Sequence, residues 1–149
     1  MKLALGTVQF GLPYGISNQS GKVILEDVKR ILTLSRASGI DTIDTAIAYG
    51  DSEACLGAAG IEGFNIITKL PTIPESVADV GCWVRDQVHA SLHRLGLQTA
   101  YGLLMHQPKQ LLGLKGKAVV QALERLKVEG VMQKIGVSIY SPTELDPVF

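Results

Sequence analysis

Three ionisable residues stand directly after short apolar runs: Asp44 after Thr42–Ile43, Lys69 after Asn65–Thr68 and His106 after Tyr101–Met105. A fourth, Tyr49, lies five residues beyond Asp44. If the runs are parallel strands, each delivers one polar side chain at its C-terminal end, where (β/α)8 barrels keep their active sites. Each residue alone has a plainer reading: a turn former, a solvated lysine, a structural histidine, a packed loop tyrosine. Together they bring a carboxylate, a phenol, an ammonium and an imidazole to one mouth. A phenol of ordinary pKa near 10 donates protons poorly at neutral pH. A neighbouring ammonium stabilises the phenolate and brings that proton within reach, while a carboxylate holds the ammonium in place. The imidazole can orient a carbonyl oxygen or help relay the proton. Such a set polarises a C=O and leaves the nucleophile to come from elsewhere. With no serine or cysteine nucleophile motif in the sequence, a hydride donor is the natural complement. A rival reading makes Lys69 the Schiff-base residue of an aldolase or hydrolase barrel, which trapping with borohydride would reveal.

The elements that must position these residues follow from periodicity. The runs Lys2–Leu5, Thr42–Ile43, Asn65–Thr68, Tyr101–Met105 and Lys134–Val137 alternate with longer amphipathic stretches. Val28, Ile31 and Leu32 share one helical face that Gly39 closes. Val77, Val80, Val84, Val88, Leu92 and Leu95 form a second, ended by Gly96, and Ala118, Ala122, Leu123 and Leu126 a third before Gly130. Alternating strands and helices imply a parallel sheet, since parallel neighbours need a crossover, and consecutive apolar positions imply strands buried on both faces. A doubly wound sheet or a (β/α)8 TIM-type barrel fits. The missing Gly-x-Gly-x-x-Gly fingerprint after the first strand counts against a Rossmann domain. Ser141-Pro142-Thr143-Glu144 spells a helix start with a capping box, five residues before the sequence ends. About five strands and four helices are therefore expected, where a full barrel takes roughly 250 residues. Residues 1–149 read as the N-terminal part of a single barrel domain.

Composition excludes several classes of partner. Fourteen basic and fourteen acidic residues give a net charge of zero, which points away from nucleic acid and from anionic membranes. No run approaches the roughly 18 apolar residues of a membrane span, and the first ten residues lack the plan of a signal peptide. A cytoplasmic location is expected. Cys55 and Cys82 are too few for a disulfide scaffold and read as buried or helix-surface thiols. His89 and His93 have the i, i+4 spacing of metal ligands but no acidic or thiol partner nearby, so no metal site is expected. Trp83 reads as packed or half exposed, and Arg85 and Arg94 as a solvated helix face.

Asp44-Thr45-Ala46-Ile47-Ala48-Tyr49-Gly50-Asp51-Ser52-Glu53 resembles the Asp-Thr-Ala-x-x-Tyr-Gly-x-Ser/x-Glu signature of aldo-keto reductases. Leu5-Gly6-Thr7, Ser91-Leu92-His93-Arg94-Leu95-Gly96-Leu97, Leu123–Gly130 and Ile135-Gly136-Val137-Ser138 are similar to further family segments, in family order. The resemblance implies a catalytic tetrad of Asp44, Tyr49, Lys69 and His106. In it Tyr49 is the general acid, Lys69 and Asp44 its tuning pair, and His106 the substrate orienter. It implies NADP(H), with NAD(H) as the alternative, its nicotinamide end lined by Gly6, Thr7, Asp44 and Ser138. The family's asparagine after that serine is Ile139 here. Phe10 and Tyr14 either wall the substrate side or pack their loop. The implied activity is reduction of small aldehydes or ketones to alcohols, or the reverse. The 149-residue chain by itself is expected to self-associate, to bind cofactor weakly and to turn over negligibly. A different reading makes it a non-catalytic binding or assembly module built on part of a reductase barrel.

Overall fold

The computed structural model describes residues 3–147. Five parallel strands form one sheet: β1 (Leu5–Gly6), β2 (Thr42–Asp44), β3 (Asn65–Leu70), β4 (Ala100–Met105) and β5 (Met132–Val137). Their spatial order is β1-β2-β3-β4-β5, the order of the chain. A doubly wound sheet reverses its strand order at a switch point. This sheet never does, so winding in one direction selects the TIM-barrel type of α/β fold over the doubly wound alternative.

The helices are α1 (Val8–Gly11), α2 (Leu25–Ala37), α3 (Ser52–Ala59), α4 (Val80–Leu95) and α5 (Gly116–Val128), with 3-10 turns η1 (Pro108–Leu112) and η2 (Pro142–Glu144). Four of them cross between strands; α1 is a single turn. Val28 and Leu32, then Val80 to Leu95, then Leu123 and Leu126 all sit in one apolar core with Ile43, Ile66, Leu70, Leu103 and Met105. Gly96 closes α4 at φ 70°, and Gly39 and Gly130 adopt φ 74° just past α2 and α5. The capping box at Ser141 is formed in full, and it opens the 3-10 turn η2.

Strand boundaries differ from the periodic runs in instructive ways. Lys2, at the start of the first run, lies outside the described residues, and the ladder there holds only Leu5–Gly6. Lys69 does not follow its strand but belongs to it, because the β3–β4 ladder continues through Lys69↔Leu104 and Leu70↔Met105. Val77 precedes α4. The Asp79 side chain accepts from the Cys82 backbone N–H at 2.9 Å and starts the helix there. That hydrogen bond holds the Asp79 carboxyl below the usual carboxylate range. No helix among the described residues is long and apolar enough to cross a membrane.

Candidate active site

Asp44 is the last residue of β2, Lys69 the fifth of β3, and His106 directly follows β4. The register sets them side by side. Asp44 pairs with Ile67, two residues before Lys69, and the His106 N–H donates to the Leu70 carbonyl at 3.1 Å. Lys69 is buried and its Nζ is met by three oxygens: Asp44 Oδ1 at 2.8 Å, Asp44 Oδ2 at 2.7 Å and the Thr45 carbonyl at 2.9 Å. Three acceptors complement the three donors of an ammonium. A free amine, which the Schiff-base reading needs, would leave that cage short of donors.

Tyr49 reaches the same place from the turn after β2. Lys69 Nζ stands 5.1 Å from the centre of its ring, and the His106 ring meets it edge-on at 5.8 Å and 80°. The four residues therefore form one cluster, with the cation over the phenol ring and the imidazole beside it. The His106 imidazole titrates below its ordinary 6.5, first because it is partly desolvated and then because Lys69 is nearby; Asp44 opposes the shift. At neutral pH it is uncharged, a hydrogen-bond partner for a carbonyl and not a strong acid.

The turn bearing Tyr49 rests on a contact that periodicity does not show. A Cβ on Gly11 would lie 1.8 Å from the Tyr49 carbonyl oxygen and 2.4 Å from the Ser52 nitrogen, so α1 touches that turn backbone to backbone. Gly50, at φ 56°, faces Gly11 from the other side. The only sequence signal was a glycine inside Phe10-Gly11-Leu12. Phe10 is accordingly core, while Tyr14 is exposed.

The positions expected at a nicotinamide divide. Gly6 is paired with Asp44, is exposed, and a Cβ there would meet nothing within 4 Å, which leaves open surface for a flat ring beside the site. Ser138 follows β5 at the opposite edge of the sheet. Its N–H donates to Met105, and its hydroxyl has no partner among the described residues. Thr7 is fully buried: its N–H and hydroxyl both donate to the Asp44 carbonyl, and the hydroxyl accepts from Ser52. Its side chain is spent on joining β1 to the end of β2 and offers nothing to a ligand. Asp44 brings a carboxylate that accepts hydrogen bonds and Ser138 a hydroxyl that can donate or accept. Ile139 adds no side-chain donor.

Arg94 departs from the solvated face read for it. It grips Glu53 through Nε at 2.9 Å and Nη2 at 2.7 Å, and the other Glu53 oxygen accepts from Ser91 at 2.6 Å and Thr68 at 2.7 Å. Glu53 is 1% exposed, and the cluster binds α3, β3 and α4 together. Arg85 does lie in solvent, loosely paired with Glu129 at 3.8 Å. Trp83 packs half buried on the core, Cys55 is half buried and Cys82 exposed, and His89 and His93 face solvent on α4. Among the described residues no group of three or more His, Cys, Asp or Glu is placed to hold a metal ion.

Known proteins share both the sequence pattern and the fold. An aldo-keto reductase of Mycobacterium ulcerans is 30% identical over 124 residues, covering 83% of this chain and 44% of the relative. A crystal structure of a Pseudomonas aeruginosa protein assigned to the aldo-keto reductases superposes with a TM-score of 0.75 at 32% identity, covering 91% of this chain and 54% of that one. The glycerol dehydrogenase of Gluconobacter oxydans follows at a TM-score of 0.69 and 26% identity, over 96% of this chain and 46% of its own. The chain thus spans about half the length of the relatives it matches. The aldo/keto reductase family profile matches from residue 2 to residue 148, through every element that carries the cluster, and the chain belongs to the aldo/keto reductase family.

Proposed function

We propose that the protein is a nicotinamide-dependent oxidoreductase that reduces a small aldehyde or ketone to an alcohol, or runs the reverse reaction, with NADP(H) as its cofactor and NAD(H) as the alternative. The observation that carries this reading is the Lys69 cage beside Tyr49: one buried cation held by Asp44 and Thr45, with a phenol ring 5.1 Å away. Gly6, Asp44 and Ser138 would hold the nicotinamide end of that cofactor, which would supply the hydride when bound. The chain's own residues manage the proton and the oxygen. Tyr49 gives its hydroxyl proton to the carbonyl oxygen as that oxygen gains charge. Lys69 offsets the negative charge left on the phenol, and Asp44 keeps Lys69 from turning away. His106, uncharged at neutral pH, donates one N–H to the same oxygen and orients it, which leaves the proton donation to Tyr49. We place the protein in the cytoplasm, with a small carbonyl compound or alcohol as its substrate.

Tyr49→Phe tests the assignment, in the chain joined to the C-terminal half of the Pseudomonas aeruginosa relative. Loss of NADPH absorbance with a test aldehyde should slow by roughly 10²–10⁴, the usual worth of general acid catalysis. Cofactor affinity should hardly move. An unchanged rate would remove Tyr49 from the mechanism.

The 149 residues on their own should behave differently. β1 and β5 are the edges of the sheet, and Gln133 and Lys134 of β5 are exposed. Unpaired edges are templates for association. Sedimentation should therefore find dimers or larger species, and fluorescence titration little affinity for NADPH. A compact monomer that binds NADPH at micromolar concentration would overturn both expectations.

A further inference from the structure

β2 ends at Asp44, and the chain then leaves the sheet, carrying Tyr49 round a turn to the start of α3. Three hydroxyls are fully buried where β1, β2 and α3 meet: Thr7 after β1, Thr45 after β2, and Ser52 at the first position of α3. Ser52 Oγ lies 3.0 Å from the Thr7 carbonyl, 3.0 Å from Thr7 Oγ1 and 3.1 Å from Thr45 Oγ1. Thr7 Oγ1 lies 3.0 Å from the Asp44 carbonyl.

Each hydroxyl has one proton, so the direction of these bonds can be counted. A carbonyl only accepts, so Thr7 donates to Asp44. Thr7 must then accept from Ser52, whose proton is shared between the two Thr7 oxygens. Ser52 has none left for Thr45, so Thr45 donates to Ser52. The row therefore runs from the Thr45 side chain through Ser52 and Thr7 back to the carbonyl of Asp44, the residue before Thr45. It closes on the peptide that joins the two residues caging Lys69.

Ser52 also reaches the phenol. Its backbone N–H donates to the Tyr49 carbonyl at 3.1 Å, while the Thr45 carbonyl accepts from Lys69 Nζ at 2.9 Å. One residue is thus hydrogen-bonded both to a residue that cages the cation and to the residue that supplies the ring. Its own position is anchored from the other side, since the adjacent Glu53 is gripped by Thr68, Ser91 and Arg94.

We propose that Ser52 is a positioning residue of the reductase site, fixing through Thr45 and the Tyr49 carbonyl the 5.1 Å spacing between the Lys69 ammonium and the Tyr49 ring. The proposal rests on the reductase reading only in giving that spacing a use. Misplacing a reacting group by about 1 Å can cost roughly a hundredfold in rate. The loss should fall on kcat, because Ser52 and Thr45 offer their hydroxyls to the protein and not to a ligand.

The first arm of the test uses the 149-residue chain without cofactor or substrate, so a failed reductase assay leaves it standing. Ser52→Ala removes the junction, and Thr45→Val removes the first donor while keeping its shape. The double variant leaves neither hydroxyl without the other, and Thr45→Ser keeps the donor. NMR follows the Lys69 ammonium hydrogens and the contact between the Tyr49 and His106 rings. In both single variants and in the double variant the ammonium hydrogens should exchange about tenfold faster and the ring contact weaken, with core amides such as that of Leu103 unchanged. Thr45→Ser should stay close to the wild type. In the second arm, the chimera used for Tyr49→Phe, kcat should fall roughly ten- to a hundredfold while KM and NADPH affinity hold. Unchanged ammonium exchange and ring contact in the double variant would overturn the proposal. Equal loss of protection at the core amides would overturn it too, because the hydroxyls would then be supporting the fold. A disturbed cage with unmoved kcat would overturn the positioning role, whereas a wild-type chimera inactive on every carbonyl tried would count against the reductase reading and leave the spacing to the first arm.

Discussion

An ion pair lies against each face of β3, and the two are built in opposite senses. Adjacent strand residues point to opposite sides. Thr68 turns outward to Glu53 and the helices, while Lys69 turns to Asp44 and Tyr49. In the outer pair the carboxylate is sealed, at 1% side-chain exposure, and its Arg94 partner is 34% exposed. In the inner pair the cation is sealed at 6% and its Asp44 partner is 37% open. Glu53 satisfies both oxygens with four protein donors from two elements, β3 and α4, a structural knot with no face left for a ligand. The Lys69–Asp44 pair has its open side at the mouth, beside a tyrosine and a histidine. Two ion pairs of similar length thus differ in what they leave open: one is closed within the protein, and the other keeps a face at the mouth. What separates them is which partner is left able to meet a substrate.

Changes that remove one partner at a time can break this contrast. Glu53→Gln should have the largest effect on stability. It leaves a guanidinium and two hydroxyls around an amide that cannot accept from all of them. Removing one member of a buried pair costs about 3–5 kcal/mol, and the lower end applies here because Arg94 is partly solvated. Urea unfolding would read it, and a loss under about 1 kcal/mol would place Glu53 with the ordinary surface pairs.

Lys69→Met should reverse the pattern. Methionine fills the buried stem without a desolvated charge, and water can reach the open side of Asp44. Stability should change by less than about 1 kcal/mol. Reduction of the test aldehyde, in the same chimera used for Tyr49→Phe, should be nearly lost. A stability loss as large as that of Glu53→Gln would show that both pairs are structural.

His106 gives the smallest and sharpest signal. Its folded pKa lies below the 6.5 of the unfolded side chain, so between the two values the unfolded chain binds more protons. The contribution is present in full above about 6.5 and is lost as pH falls through that window towards the folded pKa. Subtracting the pH profile of His106→Asn from that of the wild type should isolate a stability difference that shrinks on acidification. A difference that grows instead would mean the imidazole is held charged.

Asp44, Tyr49, Lys69 and His106 were legible as candidates because strand ends are readable from apolar runs and because residue types at strand ends imply chemistry. The helical faces were legible too, since 3.6-residue periodicity is a local property. Glu53 and Arg94 were visible only as parts of two separate motifs, and their pairing joins positions 41 residues apart. Gly11 carried no periodic signal at all. Its meaning comes from the backbone it touches, 38 residues on at Tyr49, counting from 11 to 49. Thr7 shows the converse: the residue type suited a ligand, but the direction of its hydroxyl did not.

The order of strands and helices, their faces, their caps and the kinds of side chain at the strand ends were determined by the sequence alone, because each depends on neighbours a few residues away. Tertiary structure decided three further matters. Winding in one direction chose the barrel type, since both candidate architectures have the same alternation of elements. Pairing of β2 with β3 put Lys69 against Asp44 and made its charge tenable in a buried position. The turn over Gly11 brought the Tyr49 ring beside that charge. All three depend on contacts between segments distant in the chain, and burial is what gives those contacts their strength.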